Sequence, residues 1–149
     1  MLNDVKWVQA CRDATDWREA LAIAIEPLIR HGAAQAAYLN GVIENTLAWG
    51  PYYVVAPGIA LPHARPEQGA VHNQIAVTTL QQPVTFGHEE CDPVWLLIAL
   101  TATDANRHIA TIQRISQWLG DEAFIKALRH ADNDRALYQL LKQSLVRSE

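Results

Sequence analysis

The run Val94–Leu100 constrains the fold more than any other part of this sequence. It reads Val-Trp-Leu-Leu-Ile-Ala-Leu and is apolar at every position. A strand with one face in water alternates apolar and polar side chains, whereas a strand covered on both faces does not. The run is therefore predicted to be a buried strand, and helices are expected on both sides of its sheet.

Short β-prone runs precede this strand, in a part of the chain that also holds six of the seven prolines. Prolines and small polar residues between apolar runs indicate turns between strands. The predicted strands are Tyr52–Ala56, Ile59–Leu61, Ile75–Leu80 and Val84–Phe86.

Segments with helical periodicity lie on both sides of this region. Asp16 and Glu19 have the spacing of a capping box and predict a helix start, and Gly32 is its predicted end. Pro27 is expected to bend or shorten that helix. The other predicted helices are Gln35–Trp49, Arg107–Leu119, Glu122–His130 after a cap at Asp121, and Arg135–Leu145 after a cap at Asp134.

The predicted order is two helices, several strands and three helices. A doubly wound Rossmann sheet would alternate strands and helices, so this order disfavours it. It favours an α+β fold, a three-layer α/β/α sandwich with a mixed β-sheet flanked by helices. With 149 residues, half of them hydrophobic, the chain is expected to form a single domain over residues 1–149.

Charge and composition exclude several classes of function. The net charge is −4 and no dense Lys/Arg run is present, which argues against a nucleic-acid partner. No apolar stretch approaches the ~20 residues of a membrane span, and the first residues lack a secretory pattern, so a cytoplasmic location is expected. Cys11 and Cys91 have no Cys-x-x-Cys spacing and no histidine pair has ligand spacing, so neither a metal nor another cofactor is expected.

The segment Pro57–Pro66 holds the first candidate for chemistry, His63. Pro62 fixes the backbone before it, and Pro66 favours an extended Arg65. An imidazole titrates near neutral pH, so its free nitrogen can be a nucleophile. A guanidinium two residues further along an extended chain lies on the same side and can bind phosphoryl oxygens. The pattern predicts phosphoryl transfer through His63. The alternatives are an ordinary polar histidine in a turn, and an Arg65 paired only with Glu67 at the surface.

His108 is the second candidate. It shares a predicted helix face with Ile112, Ile115 and Leu119, so it is expected to point inward near the helix N-terminus, where an anion is favoured. We expect His63 and His108 to meet in one shallow site at the edge of the sheet. The alternative is a half-buried histidine that only packs the end of the core. For His31, His72, His88 and His130 a solvated role is the simpler interpretation.

These motifs resemble the enzyme IIA proteins of the bacterial phosphoenolpyruvate-dependent sugar phosphotransferase system, in the mannitol–fructose class. The resemblance extends over nearly the whole chain. The class is indicated by the segments Gly58–His63, Val94–Leu100 and Asp104–Ile109. Within the class, the chain is most similar to the ascorbate-type and cryptic mannitol-type subunits, in the segments Asn45–Pro57 and His63–Glu67.

The resemblance implies a phosphoryl carrier. His63 would take a phosphoryl group from phosphorylated HPr, the histidine carrier protein of the system, and a cysteine or other acceptor on enzyme IIB would remove it. The second active-site histidine of the family falls on His108. Mannitol-type members carry an arginine in the preceding helix, whereas Gly41–Gly50 contains none. Arg65 is therefore the expected source of the charge that stabilises the phosphoryl group, which favours the ascorbate-like group.

Two other functions stay open at this point. The first is a regulatory protein of the nitrogen-type IIA branch, phosphorylated in the same way but acting by protein binding. The second is a non-catalytic interaction module in which His63 is structural. The sequence does not identify the sugar, because specificity resides in the membrane IIC component, which a IIA subunit serves only indirectly.

Overall fold

The computed structural model describes residues 2–147 of the chain. Within this range the chain forms five α-helices and five β-strands. In chain order they are β1 (Val8–Arg12), α1 (Trp17–Arg30), α2 (Ala37–Trp49), β2 (Val54–Ala56), β3 (Ile59–Ala60), β4 (Gln74–Val84), β5 (Val94–Thr101), α3 (Ala105–Leu119), α4 (Glu122–His130) and α5 (Asp134–Arg147).

The strands form one mixed sheet in the order β1-β4-β5-β3-β2. The pairs β1–β4 and β3–β5 are parallel, and the pairs β4–β5 and β2–β3 are antiparallel. Every residue of β5 is buried, as its unbroken apolar run predicts, and α1 packs against both β4 and β5. The predicted α/β/α sandwich with a mixed sheet is confirmed.

The predicted element order was wrong at the start of the chain, because β1 precedes the first helix. Only Val8 and Ala10 of its five residues are buried, so the apolar alternation is too short to stand out in the sequence. Tertiary contacts fix this strand instead. Asp134 at the start of α5 accepts hydrogen bonds from the Ala10 amide at 2.7 Å and from both terminal nitrogens of Arg12 at 2.9 and 3.0 Å.

The strands Ile75–Leu80 and Val84–Phe86 were predicted to be separate, but one strand, β4, covers the first, continues through Pro83 and ends at Val84. The pairing of β4 with β5 shifts register between Thr79 and Val84, and such an irregularity accommodates a residue that cannot donate to the ladder. The N-cap of α5 also differs from the prediction. Asn133, not Asp134, accepts from the Ala136 amide at 2.8 Å, because Asp134 is bound to Arg12.

The first helix is not shortened by Pro27, which lies inside α1. A proline in a helix leaves the carbonyl four residues earlier without its usual donor. Here that carbonyl belongs to Ile23, and it accepts from the Gln9 side chain of β1 at 2.8 Å. The predicted start and end of this helix are confirmed, since Asp16 accepts from the Glu19 amide and Gly32 has a positive φ of 82°.

Parallel pairing of β3 and β5 brings the two candidate histidines together. The carboxyl ends of parallel strands lie at the same edge of a sheet. The chain leaves β3 through Leu61 and Pro62. The carbonyl of Pro62 accepts from the Leu100 amide of β5 at 3.1 Å. Helix α3 begins directly after β5, with Asp104 as its N-cap. His63 and His108 therefore reach the same edge from two different connections.

Candidate active site

His63 and His108 meet at this edge of the sheet, as expected. Their ring centroids are 5.0 Å apart and their planes are inclined at 54°. Both side chains are partly buried. The ring of Tyr52 stands edge-on to His63, with the centroids 5.4 Å apart and the planes at 89°. Aromatic pairs at this separation and angle are favourable, so the imidazole of His63 is packed from two sides.

One hydrogen bond fixes the tautomer of His63. Its Nδ1 lies 2.7 Å from the carbonyl oxygen of Leu61, two residues earlier in the chain. A carbonyl only accepts, so Nδ1 must carry the proton and donate it. In the neutral ring the lone pair is then on Nε2. The local backbone thus selects the nitrogen that is available as a nucleophile.

The surroundings of His63 favour the neutral form of the ring. Burial lowers the pKa of His63 below its ordinary value of 6.5, and the neighbouring His108 lowers it further, while the hydrogen bond to Leu61 opposes these effects. A lowered pKa keeps the lone pair on Nε2 free at neutral pH.

Arg65 lies two residues after His63 in the sequence, and its side chain has two partners. Its Nε lies 3.5 Å from a carboxylate oxygen of Glu67, and both side chains are largely exposed. Its guanidinium carbon is 6.0 Å from the ring centroid of Trp49. The ion pair that the sequence offered as the alternative role of Arg65 is therefore present. An exposed pair of this kind is weak, so it does not prevent the guanidinium from binding an anion.

A common cavity of about 360 Å³ is lined by His63, His108, Arg65, Tyr52 and Trp49. Trp49 is 65% exposed and Tyr52 is 38% exposed, so the cavity has an open aromatic wall. No acidic residue lines it. The remaining lining residues are Asn45, Ala64, Pro66 and Ala105.

Sequence reasoning missed three side chains that hold the segment His63–Arg65. The Tyr52 hydroxyl donates to the carbonyl oxygen of His63. The Ala64 amide donates to the Tyr38 hydroxyl at 3.0 Å, and the Arg65 amide donates to Oε1 of Gln68 at 2.9 Å. A local signal existed for Gln68, because Pro66 and Gln68 after Arg65 have the pattern of a capped turn.

The other histidines lie outside this cavity. His31 packs edge-on against Trp7, and Nδ1 of His88 accepts from the Cys91 amide at 3.2 Å. Among residues 2–147, no group of three or more His, Cys, Asp and Glu side chains is arranged to hold a metal ion. In the same range no helix has the length and apolar character needed to cross a membrane.

The sequence matches the family model described as phosphoenolpyruvate-dependent sugar phosphotransferase system, EIIA 2, over residues 1–144. A protein of Escherichia coli K12 named as the phosphotransferase IIA component SgcA is 63% identical over 95% of this chain and 99% of that protein. The mannitol-specific cryptic phosphotransferase enzyme IIA component of the same strain is 36% identical over 91% of this chain and 92% of that protein. The ascorbate-specific PTS system EIIA component of Salmonella choleraesuis is 34% identical over 89% of this chain and 86% of that protein.

Solved structures share the fold. The solution structure of the E. coli cryptic mannitol enzyme IIA, CmtB, has a TM-score of 0.85 at 34% identity, covering 93% of each chain. The E. coli complex of mannitol enzyme IIA with phosphorylated enzyme IIB has a TM-score of 0.81 at 25% identity, covering 94% of this chain and 96% of that chain. The nitrogen regulatory protein IIA-Ntr of Neisseria meningitidis has a TM-score of 0.74 at 15% identity, over 93% of this chain and 94% of that chain, a similarity of fold alone.

The family match and the relatives agree with the resemblance based on the sequence motifs, including its ascorbate and cryptic mannitol subgroup. Members of this family are phosphotransfer components of a sugar uptake system. The chain belongs to the EIIA type 2 family of the phosphoenolpyruvate-dependent sugar phosphotransferase system.

Proposed function

We propose that His63 accepts a phosphoryl group on Nε2 from phosphorylated HPr and passes it to a cognate enzyme IIB. The observation that carries this proposal is the hydrogen bond from Nδ1 to the Leu61 carbonyl, which leaves the lone pair on Nε2. The enzyme is thus a phosphotransferase with a phosphohistidine intermediate.

The step balances without a cofactor. The Nε2 lone pair attacks phosphorus, the bond between phosphorus and the HPr histidine nitrogen breaks, and its electron pair returns to that nitrogen. Throughout the transfer, Nδ1 keeps its proton and its bond to Leu61. In the second step the IIB acceptor attacks the same phosphorus, and the electron pair of the broken N–P bond returns to Nε2. Such transfers depend on positioning and on stabilisation of charge rather than on further covalent chemistry.

Arg65 and His108 stabilise the phosphoryl group. A phosphoryl group adds a charge of about −2 and three acceptor oxygens, so it needs several donors. The His108 ring lies 5.0 Å from that of His63, and Arg65 lines the same cavity. The guanidinium exchanges its weak contact with Glu67 for a charge-assisted contact with phosphoryl oxygens. Arg65 thereby supplies the charge that mannitol-type members are expected to take from an arginine in the preceding helix.

The two partners bind the same open cavity in turn. A site that must be reached by a donor and then by an acceptor cannot be enclosed, and the aromatic wall of Trp49 and Tyr52 is open. The interfaces are expected to be modest and short-lived. The sugar enters through a membrane IIC component, and the ascorbate-specific and mannitol-specific names of the relatives suggest a sugar or sugar-like substrate of that kind. We place the protein in the cytoplasm, where HPr acts.

Reconstitution tests the proposal. The protein is incubated with phosphoenolpyruvate, enzyme I and HPr, and phosphoryl incorporation is followed by intact mass. The wild type gains one phosphoryl group, and His63→Ala gains none. The variant His72→Ala, which alters an exposed histidine outside the cavity, is the matched control and is labelled like the wild type. Undiminished labelling of His63→Ala would reject the proposal.

Discharge onto enzyme IIB separates transport from regulation. The phosphorylated protein is mixed with candidate IIB proteins of the ascorbate and mannitol types, and loss of its label is followed in time. Rapid transfer to one of them supports a carrier that feeds a permease. A phosphorylated protein that discharges to none of them while binding a kinase or transporter would instead indicate the regulatory function.

A further inference from the structure

The segment His63–Arg65 has no regular secondary structure, yet its backbone is bound by three side chains. Tyr52 donates to the carbonyl of His63, Tyr38 accepts from the amide of Ala64, and Gln68 accepts from the amide of Arg65. The three side chains come from three places in the chain, and none of them belongs to the reacting groups. Each consecutive residue of the segment is held by a different side chain.

The Gln68 side chain links the segment to helix α2. Oε1 of Gln68 accepts from Arg65 and also from the Nδ2 of Asn45 at 3.0 Å, and Nε2 of Gln68 donates back to Oδ1 of Asn45 at 3.3 Å. Asn45 is buried on α2. The paired amides therefore tie the backbone of Arg65 to a rigid helix.

Close packing supports this link. A Cβ atom placed on Gly41 would lie 3.1 to 3.3 Å from three side-chain atoms of Gln68. That separation is shorter than an ordinary van der Waals contact, so the absence of a side chain at Gly41 makes room for Gln68 on α2.

Tyr52 is well placed to hold His63. Burial raises the pKa of Tyr52, so its hydroxyl keeps the proton that it donates. Its ring also contacts the imidazole edge-on. Tyr52 therefore fixes both the backbone and the ring of the nucleophile, whereas Tyr38 is fully buried and also donates to the Leu100 carbonyl of the sheet.

We propose that Tyr52 and Gln68 are positioning residues for phosphoryl transfer: Tyr52 orients His63, and Gln68 orients Arg65. The inference rests on the proposed function of His63. Misplacement of a reacting group by about 1 Å can slow a reaction by about a hundredfold, and loss of one neutral hydrogen bond changes an equilibrium by roughly five- to tenfold. Removal of either side-chain group is expected to slow transfer by about tenfold.

The test uses variants that remove one group each. Tyr52→Phe loses the hydroxyl and keeps the ring, and Gln68→Met loses the amide at similar length. Gln68→Glu keeps an oxygen that accepts from the Arg65 amide but loses the Nε2 donor to Oδ1 of Asn45 and adds a negative charge beside Arg65, so it should also transfer more slowly than the wild type. Gly41→Ala, which removes no hydrogen-bonding group, should slow transfer by displacing Gln68. Tyr138→Phe, on α5 and outside the cavity, is the matched control.

The readouts separate positioning from stability. The first-order transfer rate from saturating phospho-HPr should fall in Tyr52→Phe and Gln68→Met, while the HPr concentration at half-saturation changes less than twofold and the thermal midpoint stays close to that of the wild type. Amide exchange of Arg65, measured without any phosphoryl donor, should speed up in Gln68→Met and Gly41→Ala but not in Tyr52→Phe.

Wild-type rates in both variants, with the wild type itself labelled, would overturn this inference and leave the proposed function intact. A rate loss matched by an equal loss of stability would also overturn it, since it would show a merely structural role. If the wild type is not labelled at all, the proposed function fails, and this inference fails with it.

Discussion

Strand β5 and the segment His63–Arg65 lie beside each other but are held in different ways. The eight residues of β5 are all buried, and the strand is paired with β4 on one side and β3 on the other. The segment has no strand partner, and individual side chains bind its backbone. Many apolar contacts and two strand neighbours thus hold β5 in place, whereas three particular side chains hold the backbone of the segment. Substitutions in the two regions should therefore damage different properties of the protein.

The largest effect is expected from His63→Gln, which removes the proposed nucleophile. Phosphoryl incorporation should fall below detection, because the variant loses the Nε2 lone pair that the Nδ1–Leu61 hydrogen bond leaves free. The free energy of unfolding should change by only about 1 kcal/mol, since the partly buried ring makes one backbone hydrogen bond. Intact mass and urea unfolding measure the two quantities. Loss of the fold in this variant would contradict the separation of the two regions.

The converse variant is Leu97→Ala in β5. Leu97 is fully buried between its strand partners Thr78 and Ala60, so its truncation should destabilise the protein by about 2–5 kcal/mol. At a temperature where the variant is still folded, its transfer rate should stay within twofold of the wild type. Urea unfolding and transfer kinetics check both values. A large rate loss in the folded variant would show that the strand and the segment are not independent.

A smaller effect is expected from His108→Ala. The ring that is proposed to hold phosphoryl oxygens is lost, so transfer should slow by about ten- to a hundredfold, while the fold remains intact because the side chain is only partly buried. Rapid-quench measurements with phospho-HPr give the rate, and circular dichroism checks the fold. An unchanged rate would assign His108 to packing alone.

The smallest effect concerns pH. A protonated imidazole has no lone pair, and burial lowers the pKa of His63 below 6.5. The rate of phosphoryl acceptance should therefore decline at low pH with a midpoint below 6.5, by about tenfold per pH unit well beneath the pKa. An NMR titration of the His63 ring and a pH–rate profile should give the same midpoint. A midpoint above 6.5 would contradict the environment described for the ring.

Much of the fold was readable from the sequence because it depends on repeating patterns. The unbroken apolar run of β5 predicted a covered strand, and the helix caps at Asp16 and Asp121 lie where short polar motifs indicate them. Strand β1 was not predicted, because its position depends on the ion pair between Arg12 and Asp134, 122 residues apart.

The site was predicted only in part for the same reason. The motif around His63 and the helix face of His108 are local patterns in the sequence. The two histidines meet because β3 and β5, which precede them, are parallel. The bond between Tyr38 and Ala64 joins residues 26 positions apart, and nothing in a single sequence indicates such a pair. The hydroxyl of Tyr52 likewise donates to a backbone carbonyl. Every residue has such a carbonyl, so the sequence gives no sign of which one the hydroxyl binds.

The most direct test of the central claim is to locate the phosphorus on the ring. The protein is labelled with ¹⁵N in histidine, phosphorylated by phospho-HPr, and examined by NMR for coupling between phosphorus and each ring nitrogen. The account predicts coupling to Nε2 of His63, with Nδ1 still protonated and bound to the Leu61 carbonyl. Coupling to Nδ1, or phosphorus on any other residue, would contradict it.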